Sequence, residues 1–175
     1  PTRTEWNPDY LEYTNLEVLE TSIENVPPEI AALRKLRRFR CAGVVPDEIA
    51  QLAELEELAC TDVPSSATAL TKLRSLSLRR AEPDTLATIA GLVNLEEVDL
   101  SASSDVLLPD SWSALTRLRR LSVTATGKAR RVHLSAAIAA LPSLESLYMR
   151  GDVDKLPEDW SHARALREVT IEGKT

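Results

Sequence analysis

Residues 45–60 read VPDEIAQLAELEELAC, and the spacing inside this stretch recurs along the whole chain. Its leucines stand at Leu52, Leu55 and Leu58, with Cys60 two residues beyond, so the step is three and then two. Leu55 has counterparts at Leu16, Leu36, Leu73, Leu95, Leu118, Leu144 and Leu166, spaced by 18 to 26 residues. Three residues after each of these centres comes Leu19, Phe39, Leu58, Leu76, Val98, Leu121, Leu147 or Val169. Two further on stand Thr21, Cys41, Cys60, Leu78, Leu100, Val123, Met149 and Ile171. A unit this short cannot bury an apolar face alone, whereas stacked copies can. The period therefore predicts a solenoid in which each repeat touches only its neighbours.

The pattern also runs backwards from each centre. Three residues earlier lie Tyr13, Leu33, Leu52, Leu70, Leu92, Leu115, Leu141 and Ala163, and three before those Tyr10, Ile30, Ile49, Ala67, Ile89, Trp112, Ile138 and Trp160. Spacing by three predicts a short helical or 3₁₀ turn. Pro27, Pro46, Pro64, Pro109 and Pro157 are expected at its first helical position, where a fixed φ and a missing N–H are tolerated. Spacing by two predicts a strand, for example Arg38 to Ala42 or Ser75 to Arg79, with side chains alternating inward and outward. The expected fold class is α/β: a right-handed solenoid with a concave parallel sheet of about eight strands and a convex side of short helices and 3₁₀ turns.

The motif LPxxIxxLxxLxxLxL resembles the leucine-rich repeats of plant intracellular Ras-group proteins and of bacterial type III effectors. It is seen from Val26 to Cys41, Val45 to Cys60, Leu108 to Val123 and Leu156 to Ile171. The resemblance implies one leucine-rich-repeat domain over residues 1–175, and a host-protein recognition role as in secreted effectors. An alternative is the substrate-recognition half of an effector enzyme, such as a ubiquitin ligase, whose catalytic domain lies outside this chain. The implied location is the bacterial cytoplasm, or the host cell after delivery. One feature departs from such repeats: the asparagine usual three residues after the last strand position is replaced by Glu24, Val44, Val63, Ala81, Ser103, Thr126, Asp152 and Lys174. The turns after the strands are accordingly expected to be less uniform. The chain starts at Pro1 and stops on a repeat strand. A longer protein, or a partner at the C-terminal edge, is therefore expected.

At 175 residues and 43% hydrophobic side chains the chain can bury a continuous core as one domain. The net charge of −6 argues against a nucleic-acid binder. There is no apolar run near eighteen residues, so no membrane partner is expected, and no N-x-S/T sequon appears. His133 and His162 are the only histidines and have no ligands at metal spacing. No nucleophile elbow or phosphate-binding loop is found. The expectation is a non-catalytic protein with no metal and no cofactor. Cys41 and Cys60 share one inward position in consecutive repeats. They read as core thiols, a disulfide or half a metal site being the less favoured alternative.

The outward strand positions carry the information about binding. Directly after the central leucines the residues run Glu17, Arg37, Glu56, Arg74, Glu96, Arg119, Glu145, Arg167, a strict alternation of sign, and the next row is Val18, Arg38, Glu57, Ser75, Glu97, Arg120, Ser146, Glu168. Side by side on parallel strands such residues fix stacking register and neutralise the sheet. Further along the strands small residues leave a shallow trough. The expected partner-binding residues are Arg40, Arg79, Arg80, Asp99, Tyr148 and Arg150, because Tyr and Arg are enriched in interface hot spots. The partner is expected to be an acidic or mixed-charge protein segment. The basic link from Gly127 to His133 reads as a solvated loop, with a binding rim as the alternative.

Overall fold

The computed structural model describes residues 6–126, 131–153 and 156–173. In chain order these form the strands β1 (Val18–Glu20), β2 (Arg38–Arg40), β3 (Glu57–Cys60), β4 (Ser75–Leu78), β5 (Glu97–Ala102), β6 (Val106–Leu107), β7 (Arg120–Ala125), β8 (Arg131–His133), β9 (Ser146–Arg150), β10 (Asp152–Val153) and β11 (Glu168–Glu172). Eight of them, β1-β2-β3-β4-β5-β7-β9-β11, lie side by side as one parallel sheet. Every strand of that sheet pairs with the same row of its neighbours, so Arg40, Ala59, Ser77, Asp99, Ser122 and Tyr148 stand in one line across it.

Register is set by the backbone at each strand entrance. The N–H groups of Arg37 and Arg38 both donate to Glu17 O, and the arrangement recurs in every repeat up to Arg167 and Glu168 on Glu145 O, at 2.8–3.1 Å. The residue providing each carbonyl belongs to the alternating charged row, so backbone and side chains specify one and the same stacking. The step of three before each strand is a chain of tight turns. Leu36 N–H donates to Leu33 O, Leu55 to Leu52, Leu73 to Leu70, Leu95 to Leu92 and Leu118 to Leu115, at 2.9–3.1 Å.

The opposite side of each repeat carries 3₁₀ turns at Pro8–Glu12, Pro28–Ala32, Asp47–Gln51, Ser65–Ala69 and Asp110–Ala114. Two α-helical segments replace them elsewhere, α1 (Pro83–Ile89) and α2 (Ala136–Ala139). The proline expectation is corrected by one residue. Pro27, Pro46, Pro64 and Pro109 precede the helical residues, with φ near −80 to −73° and ψ of 156–168°. What each contributes is a fixed extended φ and a carbonyl: Ile30, Ile49, Ala67 and Trp112 donate to these four oxygens at 3.0–3.1 Å. Pro157 is followed by bends and turns and not by a helical turn.

A second parallel sheet, β10-β8-β6, was not visible in the sequence pattern. It pairs Val106 with Val132 and Val132 with Val153, all three buried. The basic link therefore does not end as a solvated loop: Val132 enters the core between exposed Arg131 and His133, while residues 127–130 lie outside the described residues.

The core is one aliphatic stack broken by Phe39 and Trp112. It fades at both ends, Tyr13 being 59% exposed and Leu16 half-buried in the first repeat, and fades further at the C-terminal end. Leu19 on the first strand is 6% exposed, whereas Val169 on the last is 48% exposed, with Leu166 and Ile171 half-buried.

Candidate functional site

The outward face of the eight-stranded sheet divides into a self-paired part and an open part. In the first charged row the alternation closes into couples. Arg37 meets Glu56 at 2.6 Å, Arg74 meets Glu96 at 2.9 Å, and Arg119 meets Glu145 at 2.7 Å. In the second row Arg38 binds Glu57 at 2.6 Å, and Arg120 binds Glu97. The Glu56 carboxylate raises the Arg37 pKa, chiefly by its hydrogen bond, and Arg119 lowers that of Glu145 in the same way. All these groups are largely solvated, so each couple contributes little alone. The pairing makes Glu96 a closer companion of Arg74 than of Arg119. Glu96→Arg should therefore destabilise by up to about 1 kcal/mol. Adding Arg74→Glu should restore more of that loss than adding Arg119→Glu, in a double-mutant cycle read by thermal melts. Equal restoration by both would mean that the row is not coupled in twos.

The cysteines lie beneath this face. Cys41 and Cys60 are buried and free, and their Sγ atoms lie 3.5 Å from Gly43 O and 3.4 Å from Asp62 O. Burial pushes the Cys41 thiol from its ordinary 9.0 up to about 11, and raises Cys60 as well. Thiolate is the reactive form. Both cysteines should resist a thiol reagent at neutral pH until denaturant is added, and rapid labelling of the native protein would contradict the core assignment.

The open part is the row of small residues. A hollow of about 250 Å³ lies over β4, β5, β7 and β9, lined among others by Ser75, Ser77, Asp99, Ser122 and Tyr148. Its floor is low because the residues beside Asp99 on both neighbouring strands are serines, Ser77 and Ser122. Asp99 itself makes no ion pair or side-chain hydrogen bond among the described residues. The same holds for Arg40 on β2 and for Arg79 and Arg80 just after β4, all exposed. Arg40 shares the row of Asp99, three strands away.

Tyr148 and Arg150 are placed differently from Arg40, Arg79, Arg80 and Asp99. The Tyr148 hydroxyl donates to Glu172 Oε2 at 3.0 Å, and Arg150 Nε lies 3.8 Å from the same oxygen. Glu172 thus holds two of the six expected residues at one edge, a role that the sequence reading missed. The signal was there in the register, since Glu172 stands beside Arg150 on the next strand. The histidines are remote from this face: His133 is on β8, and His162 Nδ1 is 3.3 Å from Ser161 Oγ. Among the described residues no group of three His, Cys, Asp or Glu side chains is placed to hold a metal, and no helix is long and apolar enough to cross a membrane.

No protein-family model and no curated protein matches the chain. Solved structures do. A leucine-rich-repeat protein of Leptospira interrogans superposes with a TM-score of 0.74 at 20% identity, over 94% of this chain and 45% of that one. Internalin C2 of Listeria monocytogenes gives 0.73 at 19%, over 92% of this chain and 73% of that one. The plant peptide hormone receptor RGFR1, in complex with RGF2, gives 0.70 at 22%, over 96% of this chain and 30% of that one. The chain thus spans less than half of the Leptospira protein and of the plant receptor. The fold is a leucine-rich-repeat solenoid.

Proposed function

We propose that this solenoid is a non-catalytic recognition scaffold that binds another protein through its concave sheet, as the partner-binding part of a bacterial secreted effector. The observation that carries the reading is the division of the sheet face. Its charged rows neutralise themselves, whereas Arg40, Arg79, Arg80 and Asp99 are exposed and make no ion pair among the described residues, and Asp99 lies in a hollow of small side chains. Unpaired exposed charges on such a face steer and select a partner more than they stabilise the fold. Support also comes from plant receptors of the same fold that hold a peptide hormone, RGFR1 with RGF2 and HAESA with IDA. The effector assignment rests on the LPxxIxxLxxLxxLxL resemblance. In the alternative, the chain selects substrates for a catalytic domain encoded next to it, and the full reading frame separates the two.

A partner recovered by affinity capture and remeasured with purified components gives the test. Arg79→Ala and Tyr148→Ala should each weaken association by roughly fivefold or more while leaving the melting temperature nearly unchanged. Arg150→Ala should act in the same direction through its contact with Glu172. Glu29→Ala and His162→Ala, away from the sheet face, should have no effect, and the association rate should fall as salt is raised. A partner that ignores Arg79, Tyr148 and Arg150 but is lost on changing the Arg131 to His133 strand would move the site to the flank and overturn the assignment.

A further inference from the structure

Within that reading, on which this step rests, the hollow over Asp99 has a chemistry of its own. Three charged side chains line it, Glu97, Asp99 and Arg120. Glu97 and Arg120 bind each other, which leaves one net negative charge, on Asp99. Ser77 and Ser122 flank Asp99 in register on the two adjacent strands, and neither hydroxyl has a hydrogen-bond partner among the described residues. A carboxylate between two free hydroxyls offers three acceptors around one point, and a lysine ammonium has three donors on one nitrogen. The Tyr148 ring, half-buried on β9, closes one side, where the methylene stem of a lysine can pack while its head reaches the carboxylate. An anionic or apolar side chain would leave Asp99 without compensation at the floor of the hollow.

The same row carries the opposite charge at a fixed distance. Arg40 and Asp99 are three strands apart, with only Ala59 and Ser77 between them. Three strand spacings make roughly 14 Å, which an extended chain covers in about four residues. An even separation puts both side chains on one face of that chain. We propose that the concave face reads an extended partner segment with a lysine seated over Asp99 and an acidic side chain four residues away on Arg40.

A phage-displayed random dodecapeptide library panned on the protein tests this, with variants of Asp99 and Arg40, which make no ion pair or side-chain hydrogen bond among the described residues, and with Tyr148→Ala, which removes the hydrogen bond to Glu172. The wild type should enrich lysine at one position and Asp or Glu four residues from it. Asp99→Asn should remove the lysine preference, and Asp99→Lys should turn it towards acidic residues. Arg40→Glu should change only the residue four positions away. A synthetic peptide of the selected sequence should lose affinity by about tenfold or more when its lysine is acetylated, as expected on removing a charge-assisted hydrogen bond. Enrichment that disappears with Tyr148→Ala but ignores Asp99→Asn would overturn the lysine pocket and leave the concave surface standing. Peptides indifferent to every substitution on the sheet face, or no enrichment at all, would overturn both.

Discussion

Replacing Trp112 by alanine should cost about 3–5 kcal/mol in urea-induced unfolding, the range for truncating a large buried aromatic side chain. The indole is fully buried in the 3₁₀ turn at Asp110–Ala114, at a position where other repeats carry Ile30, Ile49, Ile89 and Ile138. It does more than fill space. Its Nε1–H donates to Leu86 O at 2.8 Å, inside the last turn of α1, where a carbonyl has no intrahelical partner unless a side chain or water supplies one. At the C-terminal boundary of α1 the N–H of Ala90 turns to Thr88 O, so the indole ties this helix to the next repeat. Trp112→Phe separates the two contributions. It keeps most of the apolar volume but leaves Leu86 O unpaired in the core, which should cost about 1–3 kcal/mol. A phenylalanine variant as stable as the wild type would show that the hydrogen bond contributes nothing, and one as damaged as the alanine variant would show that the retained apolar volume contributes nothing without that bond.

Trp112 also illustrates what the chain discloses before it is folded. Its place in the row of Ile30 and Ile49 was legible, because a side chain that recurs at a fixed step must face the shared core. Its acceptor was not, since α1 is a local departure from the 3₁₀ turns of the neighbouring repeats. The second sheet was hidden for a related reason: strands of two or three residues such as Val106–Leu107 and Asp152–Val153 are too short to show alternation, and form only because the repeats stack. On the sheet face the alternating charges were readable as a ladder, because parallel register follows directly from the period. That they close in couples depends on rotamers and not on order in the chain. The convergence of Tyr148 and Arg150 on Glu172 escaped for the same reason. Asp99 was legible as an exposed outward residue, but its isolation appears only once Ser77 and Ser122 are seen to flank it.

A gradient of sensitivity along the solenoid should accompany the fading of the core. Leu121→Ala should cost about 2–5 kcal/mol, from lost burial and the cavity left behind. Leu121 is 1% exposed on β7, which is held by β5 on one side and β9 on the other. Ile171→Ala should cost less than about 1.5 kcal/mol, closer to the loss of a single buried methyl group than to that of a whole buried side chain. Ile171 is half-buried on β11, whose one paired neighbour among the described residues is β9, and Val169, two residues earlier, is 48% exposed. In a stack where stability is a sum of repeats and nearest-neighbour interfaces, a residue inside the array supports two interfaces and one at the rim supports one. The terminal repeat should accordingly open first, and Leu121→Ala should lower the main unfolding transition while Ile171→Ala moves mainly an early shoulder. Urea melts followed by far-UV circular dichroism read both effects. Equal losses at Leu121 and Ile171 would contradict the gradient and show that the β11 edge is covered in solution.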